Sequence, residues 1–196
     1  MKIALLIGAI VTMTVPHAAQ AQFSDSFTFL KGVRDADGNK VTAILNKPGS
    51  VIVDTRDSST GETALHIVVK RRDNVWLGFL LQKGAKPDLR DSAGNTPLML
   101  AAQLSWAEGI TTLLNRRASV DAANSSGETA LIRAVQNRDI ATVRLLLAAG
   151  ANANRPDNAA GLSARDYARR DPRAATILKA IEEAKPVRPA VTAGPR

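Results

Sequence analysis

Cysteine is absent from this chain of 196 residues, and histidine occurs only twice, at His17 and His66. Without cysteine the protein has no disulfide bond, no thiol nucleophile and no cysteine ligand for zinc. A Ser-His-Asp triad in the mature chain would have to use His66, because His17 lies in a segment that we expect to be removed. We therefore expect no enzymatic activity, no metal and no other cofactor.

Aromatic residues make up only 4% of the chain, whereas 26 basic residues outnumber 18 acidic ones. The formal net charge of +8 favours acidic protein surfaces, anionic lipid or nucleic acid as partners. Few aromatic rings leave few platforms on which single-stranded bases could stack. Together with the export signal described next, this scarcity leads us to expect no nucleic-acid partner. A plainer alternative stays open, in which the excess Lys and Arg only solvates helix faces.

The first 21 residues have the form of a secretory signal sequence. Lys2 supplies a positive start, residues 3–15 are an apolar run, and residues 19–21 read Ala-Gln-Ala, which is typical of a cleavage site. The run is shorter than the about 20 residues that a membrane-spanning helix needs. We predict cleavage after Ala21 and a periplasmic or secreted protein that does not span the membrane. An uncleaved N-terminal anchor is the alternative.

A repeat with a period of 33 residues dominates the rest of the chain. Gly61, Gly94 and Gly127 are spaced 33 residues apart, and Gly161 follows after 34. A threonine comes two residues after each of the first three glycines, and a Leu-Leu pair recurs at the same step. The units open Gly61-Glu-Thr-Ala-Leu-His, Gly94-Asn-Thr-Pro-Leu-Met and Gly127-Glu-Thr-Ala-Leu-Ile. Because one such unit cannot bury its own apolar face, the pattern predicts units stacked around a continuous core.

This pattern resembles the Thr-Pro-Leu-His signature of ankyrin repeats, in which a β-turn precedes two antiparallel helices. The resemblance implies an all-α ankyrin-repeat solenoid of stacked helix-turn-helix units joined by short β-turns or hairpins. We assign a signal peptide (1–21), an N-terminal capping ankyrin-like unit (22–56), three repeats (57–90, 91–123 and 124–155), a C-terminal capping repeat (156–184) and a tail (185–196) that we expect to be disordered. Residues 22–28 are expected to form a short polar lead before the first helix.

The repeated residues have structural roles in this prediction. The threonines after the turn glycines begin helices, where a hydroxyl can accept hydrogen bonds from free backbone amides. His66 falls on the histidine of the signature, and the resemblance implies that its imidazole hydrogen-bonds neighbouring turns. Arg117 occupies the helix stop that Gly84 and Gly150 fill in the neighbouring repeats, so we predict a left-handed backbone there.

Two other features have a structural interpretation beside a functional one. Asp35-Ala-Asp-Gly-Asn is similar to a calcium loop, but glycine is fourth rather than sixth and the twelfth residue is Asn46, not glutamate. We therefore predict an ordinary turn between two helices. Trp76 is expected to pack in the second helix of the first repeat. For Trp106, packing and exposure at a binding surface both stay open.

The resemblance also suggests where a partner binds, because ankyrin repeats usually make contacts through the turn tips and the exposed end of each first helix, on their concave side. The candidate partner-binding residues at these positions are Glu62, Lys70, Arg71, Arg90, Asn95, Gln103, Leu104, Trp106, Glu128, Gln136 and Asn137. Lys70 and Arg71 form a basic corner in the first repeat. A second basic cluster at the capping end consists of Arg165, Arg169, Arg170 and Arg173. Solvation of that end explains the cluster as well as binding does.

We expect a non-enzymatic protein-binding scaffold exported to the periplasm, in line with its resemblance to exported bacterial ankyrin proteins. The partner is an unknown protein, and the basic surface favours one with an acidic surface. Two alternatives stay open: an accessory or protective subunit of an exported enzyme, and an envelope-associated protein that binds anionic lipid or polysaccharide through its basic clusters. Attachment to lipid should weaken more steeply with ionic strength than a shaped protein interface does.

Overall fold

The computed structural model describes residues 17–48 and 51–184. Within these ranges the chain forms ten α-helices and no strand: α1 (His17–Arg34), α2 (Gly38–Leu45), α3 (Ala64–Lys70), α4 (Asn74–Gln82), α5 (Pro97–Gln103), α6 (Ala107–Asn115), α7 (Ala130–Gln136), α8 (Ile140–Ala148), α9 (Ala164–Arg170) and α10 (Ala175–Glu183). None of the helices in this described part has both the length and the apolar character that crossing a membrane requires. Most of the predicted signal sequence (1–16) and the predicted disordered tail (185–196) lie outside the described residues.

The helices form five antiparallel pairs that stack in two rows. The inner row is α1, α3, α5, α7 and α9, and each of these helices packs on the next. In the outer row α4, α6, α8 and α10 pack in the same succession, whereas α2 makes few contacts with α4. A 3-10 turn, Ile52–Asp54, packs against both α1 and α2 instead. This arrangement confirms the predicted all-α repeat solenoid.

The core repeats along the stack with the same period as the sequence. Leu80, Leu113 and Leu146 occupy matching positions of successive outer helices, and all three are fully buried. Full burial of one such side chain contributes about 1.5–3 kcal/mol. The inner helices carry small side chains at the same step, and Ala101 and Ala134 have no exposed surface. Small side chains let neighbouring helices approach closely, so the inner helices of successive repeats pack against each other.

Threonine hydroxyls cap the inner helices, as predicted. Thr96 Oγ1 accepts a hydrogen bond from the Met99 amide at 3.4 Å, and Thr129 Oγ1 accepts one from the Ile132 amide at 3.3 Å. Pro97 occupies the first turn of α5, where its missing N–H has no partner to lose. Each capped helix therefore begins at a fixed distance from its turn glycine, which places the turns and helices of successive repeats in register.

Left-handed backbone angles end the helices at two sets of positions. Arg117 has φ 62°, in line with Gly84 at 91° and Gly150 at 90°, so the predicted register of the second repeat is confirmed. A second set was not predicted from the sequence. It lies between the inner and outer helix of four units and consists of Ala36, Arg72, Ser105 and Arg138. In each of these units the inner helix ends two residues earlier.

The first inner helix is longer than the others, which corrects the prediction of a polar lead over residues 22–28. Helix α1 has 18 residues, whereas α3, α5, α7 and α9 have 7 each. Since all end at the same point of the unit, the extra 11 residues extend α1 at its N-terminal end. No proline interrupts residues 17–34, and the early part is rich in alanine and glutamine, which favour helix. The helix therefore includes residues 19–21, where cleavage is predicted.

Candidate functional site

The inner face is the surface formed by the turn tips and the exposed side of the inner helices. The tips comprise residues 57–61, 91–94, 124–127 and 157–161, and each begins with an Asp or Asn whose side chain organises the turn. Asp57 Oδ1 accepts hydrogen bonds from the amides of Ser59 at 2.9 Å and Thr60 at 3.1 Å. The Ser59 hydroxyl and these two amides hold the pKa of Asp57 well below its usual value. Each tip is therefore folded by its own side chain.

Backbone hydrogen bonds join the tips into a continuous row. The Ser92 amide donates to the Thr60 carbonyl at 2.9 Å, and the next tips are joined by bonds of 3.2 and 2.8 Å at the equivalent amides, Ser125 and Asn158. A Cβ atom at Gly94 would lie 2.6 Å from the Ser125 amide nitrogen. Both this approach and the φ of 82° require glycine there. The tips therefore form one connected edge of the inner face.

His66 connects the first repeat to the second, as the resemblance implied. The imidazole has no exposed surface. Its Nδ1 atom accepts from the Thr63 amide at 3.1 Å, so the neutral ring carries its proton on Nε2, which donates to the Asn95 carbonyl at 3.0 Å. Burial lowers the pKa of His66, because the charged imidazolium would lose its hydration. His66 is a structural residue in this geometry.

The charged members of the predicted site pair with groups of the same chain. Glu62 forms an ion pair with Lys70, and Glu128 pairs with Arg133 at 2.7 Å. The amide nitrogen Nδ2 of Asn95 donates to Asp91 in its own tip at 3.2 Å, and its Oδ1 accepts from Asn124 in the next tip at 3.1 Å. These contacts fix the side chains in place.

Both cations of the basic corner predicted at Lys70 and Arg71 have a partner within the chain. Arg71 Nη1 donates to the carbonyls of Val33 at 2.7 Å and Arg34 at 3.2 Å, and its Nη2 atom pairs with Asp73 at 3.1 Å. The guanidinium thus satisfies carbonyls that the end of α1 leaves without helical partners. Arg71 is therefore a connection between two units as well as a surface residue.

Other arginines make the same kind of connection between units. Arg90, predicted as a contact residue, donates to the Ala123 carbonyl one repeat further along, and Arg56 donates in turn to the Arg90 carbonyl. Arg72 reaches the Leu104 carbonyl at 2.5 Å. Much of the basic surplus in the sequence therefore holds neighbouring repeats together.

The centre of the inner face carries neutral side chains beside Arg133, which pairs with Glu128 and whose Nη1 donates to Gln103 Oε1 at 3.5 Å. Gln103 and Gln136 are exposed at the ends of α5 and α7, and Leu104 is half-buried beside them. Asn137 Nδ2 donates to the Gln103 carbonyl at 2.8 Å, which joins these two helix ends. The structure therefore brings the predicted residues of the second and third repeats together in one polar strip.

Trp106 does not belong to the exposed surface. Its side chain is 7% exposed, and the indole covers Gly109, where an added Cβ would lie 2.1 Å from the ring. The exposure left open for Trp106 is therefore wrong, because a glycine one turn along α6 makes room for the ring. Trp76 is half-buried and packs edge-on against Phe79 with 5.7 Å between ring centroids, as predicted.

Sequence reasoning missed a pocket at the N-terminal end of the inner face. It encloses about 230 Å³ between α1 and the first tip, and Phe27, Leu30 and Arg34 line it on the helix side. Asp57 and Ser58 line it on the tip side. Phe27 is 68% exposed, which is unusual for so large a ring. The extension of α1 adds Phe27 to this wall, whereas Leu30 and Arg34 belong to the part that α1 shares with the other inner helices. The repeat pattern carries no signal for the extension.

The remaining predicted features have local explanations. Asp37 Oδ1 accepts from the Lys40 amide at 2.9 Å and so caps α2, which confirms the predicted turn between two helices. In the C-terminal cluster, Arg165 donates to Asn154 at 2.8 Å and Arg173 pairs with Asp171 at 3.2 Å. Among the described residues, no group of His, Asp and Glu side chains has an arrangement that could hold a metal ion.

Comparisons with known proteins agree with this architecture. Residues 17–121 and 72–157 match the family described as ankyrin repeats (3 copies), and together these ranges cover well over half of the chain. Oxysterol-binding protein homolog 1 of Saccharomyces cerevisiae is 31% identical over 80 residues, which make up 39% of this chain and 7% of that protein. The chain thus spans only a small part of that relative's length. From the repeat pattern, the stacked helix pairs and the family match, the chain belongs to the ankyrin-repeat family.

Proposed function

We propose that this protein is a non-enzymatic scaffold that binds a partner protein along its inner face. Ankyrin repeats are protein-interaction modules, and the hydrogen-bonded row of tips is the observation that carries the proposal for this chain. Bonds of 2.8 to 3.2 Å join successive tips, so the edge of the inner face is already ordered before a partner arrives. A preorganised surface binds with a smaller entropic cost.

The exposed chemistry of this face suits a polar protein surface. The tips present small side chains, of which Ser92, Ser125 and Ser126 are exposed, and the strip beside them presents Gln103 and Gln136. Hydroxyl and amide groups both donate and accept hydrogen bonds, so they can match backbone and side-chain groups of a partner. The net charge of +8 supports a partner with an acidic surface.

The proposed location is the periplasm, and the support for it is the signal-like N-terminus. Lys2, the apolar run and the Ala-Gln-Ala sequence at residues 19–21 are its three elements. N-terminal sequencing of the protein recovered from the periplasm should begin at Gln22. Recovery of chains with an intact Met1 from the cytoplasm would contradict export.

Paired variants test the inner face as the binding surface. Gln103→Glu with Gln136→Glu adds one negative charge at each of two exposed inner positions. As a matched control, Thr111→Glu with Arg144→Gln makes the same change in charge at exposed positions of α6 and α8. Both pairs leave the core intact, so the two proteins should melt at the temperature of the parent.

Capture of envelope proteins by the tagged protein provides the readout. The inner pair should weaken recovery of an acidic partner by roughly tenfold or more, because like charges then oppose each other across the interface. The outer pair should capture the same partner as the parent does. If the outer pair loses capture of the partner and the inner pair keeps it, the interface lies on the outer row.

A second candidate function, attachment to an anionic envelope surface, has one observation in its favour. Among the described residues, the side chains of Arg116, Arg117 and Arg144 have no hydrogen-bond or ion-pair partner, and all three lie in or just after α6 and α8 of the outer row. Sedimentation with vesicles that contain anionic lipid tests this function. Binding that fades as salt rises and is lost on Arg144→Gln would support it, whereas no sedimentation at low salt would exclude it.

A further inference from the structure

The row of tips has an open end at Ser58. In the later tips the residue after the leading Asp or Asn donates its amide hydrogen to the preceding tip; these residues are Ser92, Ser125 and Asn158. Ser58 holds the same position after Asp57, but no tip precedes it, because α1 continues as a helix there. Its amide has no hydrogen-bond partner in the part of the chain that the structure describes. The first tip therefore has an unused backbone N–H at the position where each later tip donates to the tip before it.

Ser58 also lines the pocket at the N-terminal end of the inner face. Phe27 is 68% exposed on its wall, and Leu30, only 3% exposed, lies beside it. The volume of about 230 Å³ has room for one large apolar side chain. Exposed aromatic rings beside a concave pocket are frequent anchor points for protein partners.

Charge at the pocket is set by two arginines and one aspartate. Arg34 Nη2 pairs with Asp57 at 2.5 Å, and its side chain is 40% exposed. A guanidinium carries five N–H donors, so Arg34 keeps donors that are free to bind a second acceptor. Arg56, by contrast, donates to the carbonyls of Gly61 and Arg90. The pocket thus has a net positive charge and an arginine able to receive a carboxylate.

We propose that this pocket binds an extended segment of the partner protein that carries a bulky apolar residue next to an acidic one. The apolar side chain packs on Phe27 and Leu30, a backbone carbonyl accepts from the Ser58 amide, and the carboxylate pairs with Arg34. The segment thereby takes the place that a preceding tip occupies elsewhere in the row, in the manner of strand addition at a free edge. This inference rests on the proposed function and assigns partner chemistry to one end of the same face.

A polypeptide fits the three groups better than other ligands do. An inorganic anion would use Arg34 but would leave Phe27 exposed to water. An apolar small molecule would cover Phe27 but would leave the amide of Ser58 and the free donors of Arg34 without acceptors. Only a peptide supplies the apolar group, the carbonyl and the carboxylate at the short spacings that the pocket requires.

The probe is the capped peptide acetyl-Ala-Leu-Asp-Ala-amide, added at millimolar concentration to isotope-labelled protein and followed by NMR. Saturable shifts are expected at the Ser58 amide and the Phe27 ring. Two control peptides replace Leu with Ala or Asp with Asn, and each should bind about tenfold more weakly. The inference is overturned if the probe shifts neither signal, or if all three peptides bind alike.

Variants of the protein separate the two contacts. Ser58→Pro removes the amide donor and should reduce binding of the probe about tenfold, whereas Ser58→Ala retains the donor and should bind like the parent. Proline is favoured at the second position of many turns, and melting temperatures check that the tip still folds. Phe27→Ala should lose binding, but Val51→Ala, at another exposed apolar residue, should not. If Phe27→Ala binds the probe as the parent does, the inference is overturned whatever the Ser58 variants show.

Partner capture then distinguishes this inference from the proposed function. If Phe27→Ala and Ser58→Pro reduce capture as the Gln103 and Gln136 variants do, the pocket inference and the proposed function are both supported. If the pocket variants capture normally while the Gln103 and Gln136 pair does not, the pocket inference fails and the inner face remains the binding surface. If neither set changes capture, both are wrong.

Discussion

At the scale of single residues, His66 shows how the repeat signature serves stability. The ring is buried as a neutral imidazole between Thr63 and the Asn95 carbonyl. Protonation would place a second hydrogen on Nδ1, opposite the Thr63 amide that already donates to it. The carboxylates of Asp91 and Glu62 act to raise the pKa of His66, but burial outweighs them and lowers it. One side chain thus makes the junction of two repeats sensitive to pH.

We predict that the free energy of unfolding falls as the pH drops below about 6.5, the ordinary pKa of histidine. The unfolded chain binds a proton there, whereas folded His66, with its lowered pKa, does not, so stability present above this pH is lost on acidification. Asp57 and Asp157 have pKa values lowered from 3.8, so their contributions are lost only in more acidic solution. Urea titrations from neutral pH to about pH 5 measure the effect.

His66→Gln is the control, because glutamine can hydrogen-bond but does not titrate. The variant should be less stable than the parent at neutral pH and should lose much of the pH dependence above pH 5. A parent protein whose urea midpoint stays constant over this range would disprove the assignment. A urea midpoint that changes with pH as steeply in His66→Gln as in the parent would also disprove it.

Arg117 carries a second prediction at this scale. Its left-handed backbone, φ 62°, costs a residue other than glycine roughly 1–2 kcal/mol. Arg117→Gly should therefore stabilise the fold by at most about 1 kcal/mol, since glycine also gains entropy in the unfolded chain. Gly84→Ala is the reverse test, because a Cβ there has open space around it and only the backbone is strained. It should lower the chemical-denaturation midpoint. A lower midpoint for Arg117→Gly, or a higher one for Gly84→Ala, would contradict this account.

At the scale of elements, the N-terminal unit differs from the repeats it caps. Helix α2 makes few contacts with α4, so the unit depends on α1 for its attachment. Arg71 reinforces that attachment through the carbonyls of Val33 and Arg34. The unit should therefore open locally before the central repeats do.

Arg71→Ala tests this attachment. Hydrogen bonds to a charged group contribute about 1.5–3 kcal/mol, and the partial exposure of Arg71 places the expected loss near the lower end, about 1–2 kcal/mol. Hydrogen exchange of α1 and α2 should quicken, while α5 to α8 keep their protection. Arg116→Ala removes an exposed arginine without a partner among the described residues and should leave exchange unchanged. Uniform loss of protection throughout the stack would show that Arg71 does not act locally.

At the scale of the whole molecule, the period of the sequence predicted the fold but not the contacts between units. A period places each residue within its own unit, so the caps, the glycine turns and the left-handed Arg117 were all predicted correctly. It does not show which groups of the neighbouring unit a side chain contacts. Arg71 and Arg90 were predicted as contact residues, and the period gave no sign that they also donate to carbonyls of adjacent units. For Trp106 the sequence left packing and exposure both open, because the period does not show that Gly109 leaves room for the ring.

The extension of α1 lies outside the period altogether. Alanine and glutamine in residues 18–22 indicate helix. The signal-like pattern of the same residues instead led to the prediction of a cleavage site followed by a polar lead. The extension adds Phe27 to the wall of the pocket beside the first tip. The residues of the pocket therefore lie outside the predicted site. Gln103, Gln136 and Asn137 were predicted as contact residues, and they lie together in one polar strip.

The central claim, that a partner protein covers the inner face, is tested most directly by hydrogen-exchange mass spectrometry of the protein alone and with its captured partner. The account predicts slower exchange in the tips at residues 57–61, 91–94 and 124–127 when the partner is bound. Exchange in α4, α6 and α8 should stay the same, because these helices belong to the outer row. New protection concentrated in α4, α6 and α8, with the tips unchanged, would contradict the claim.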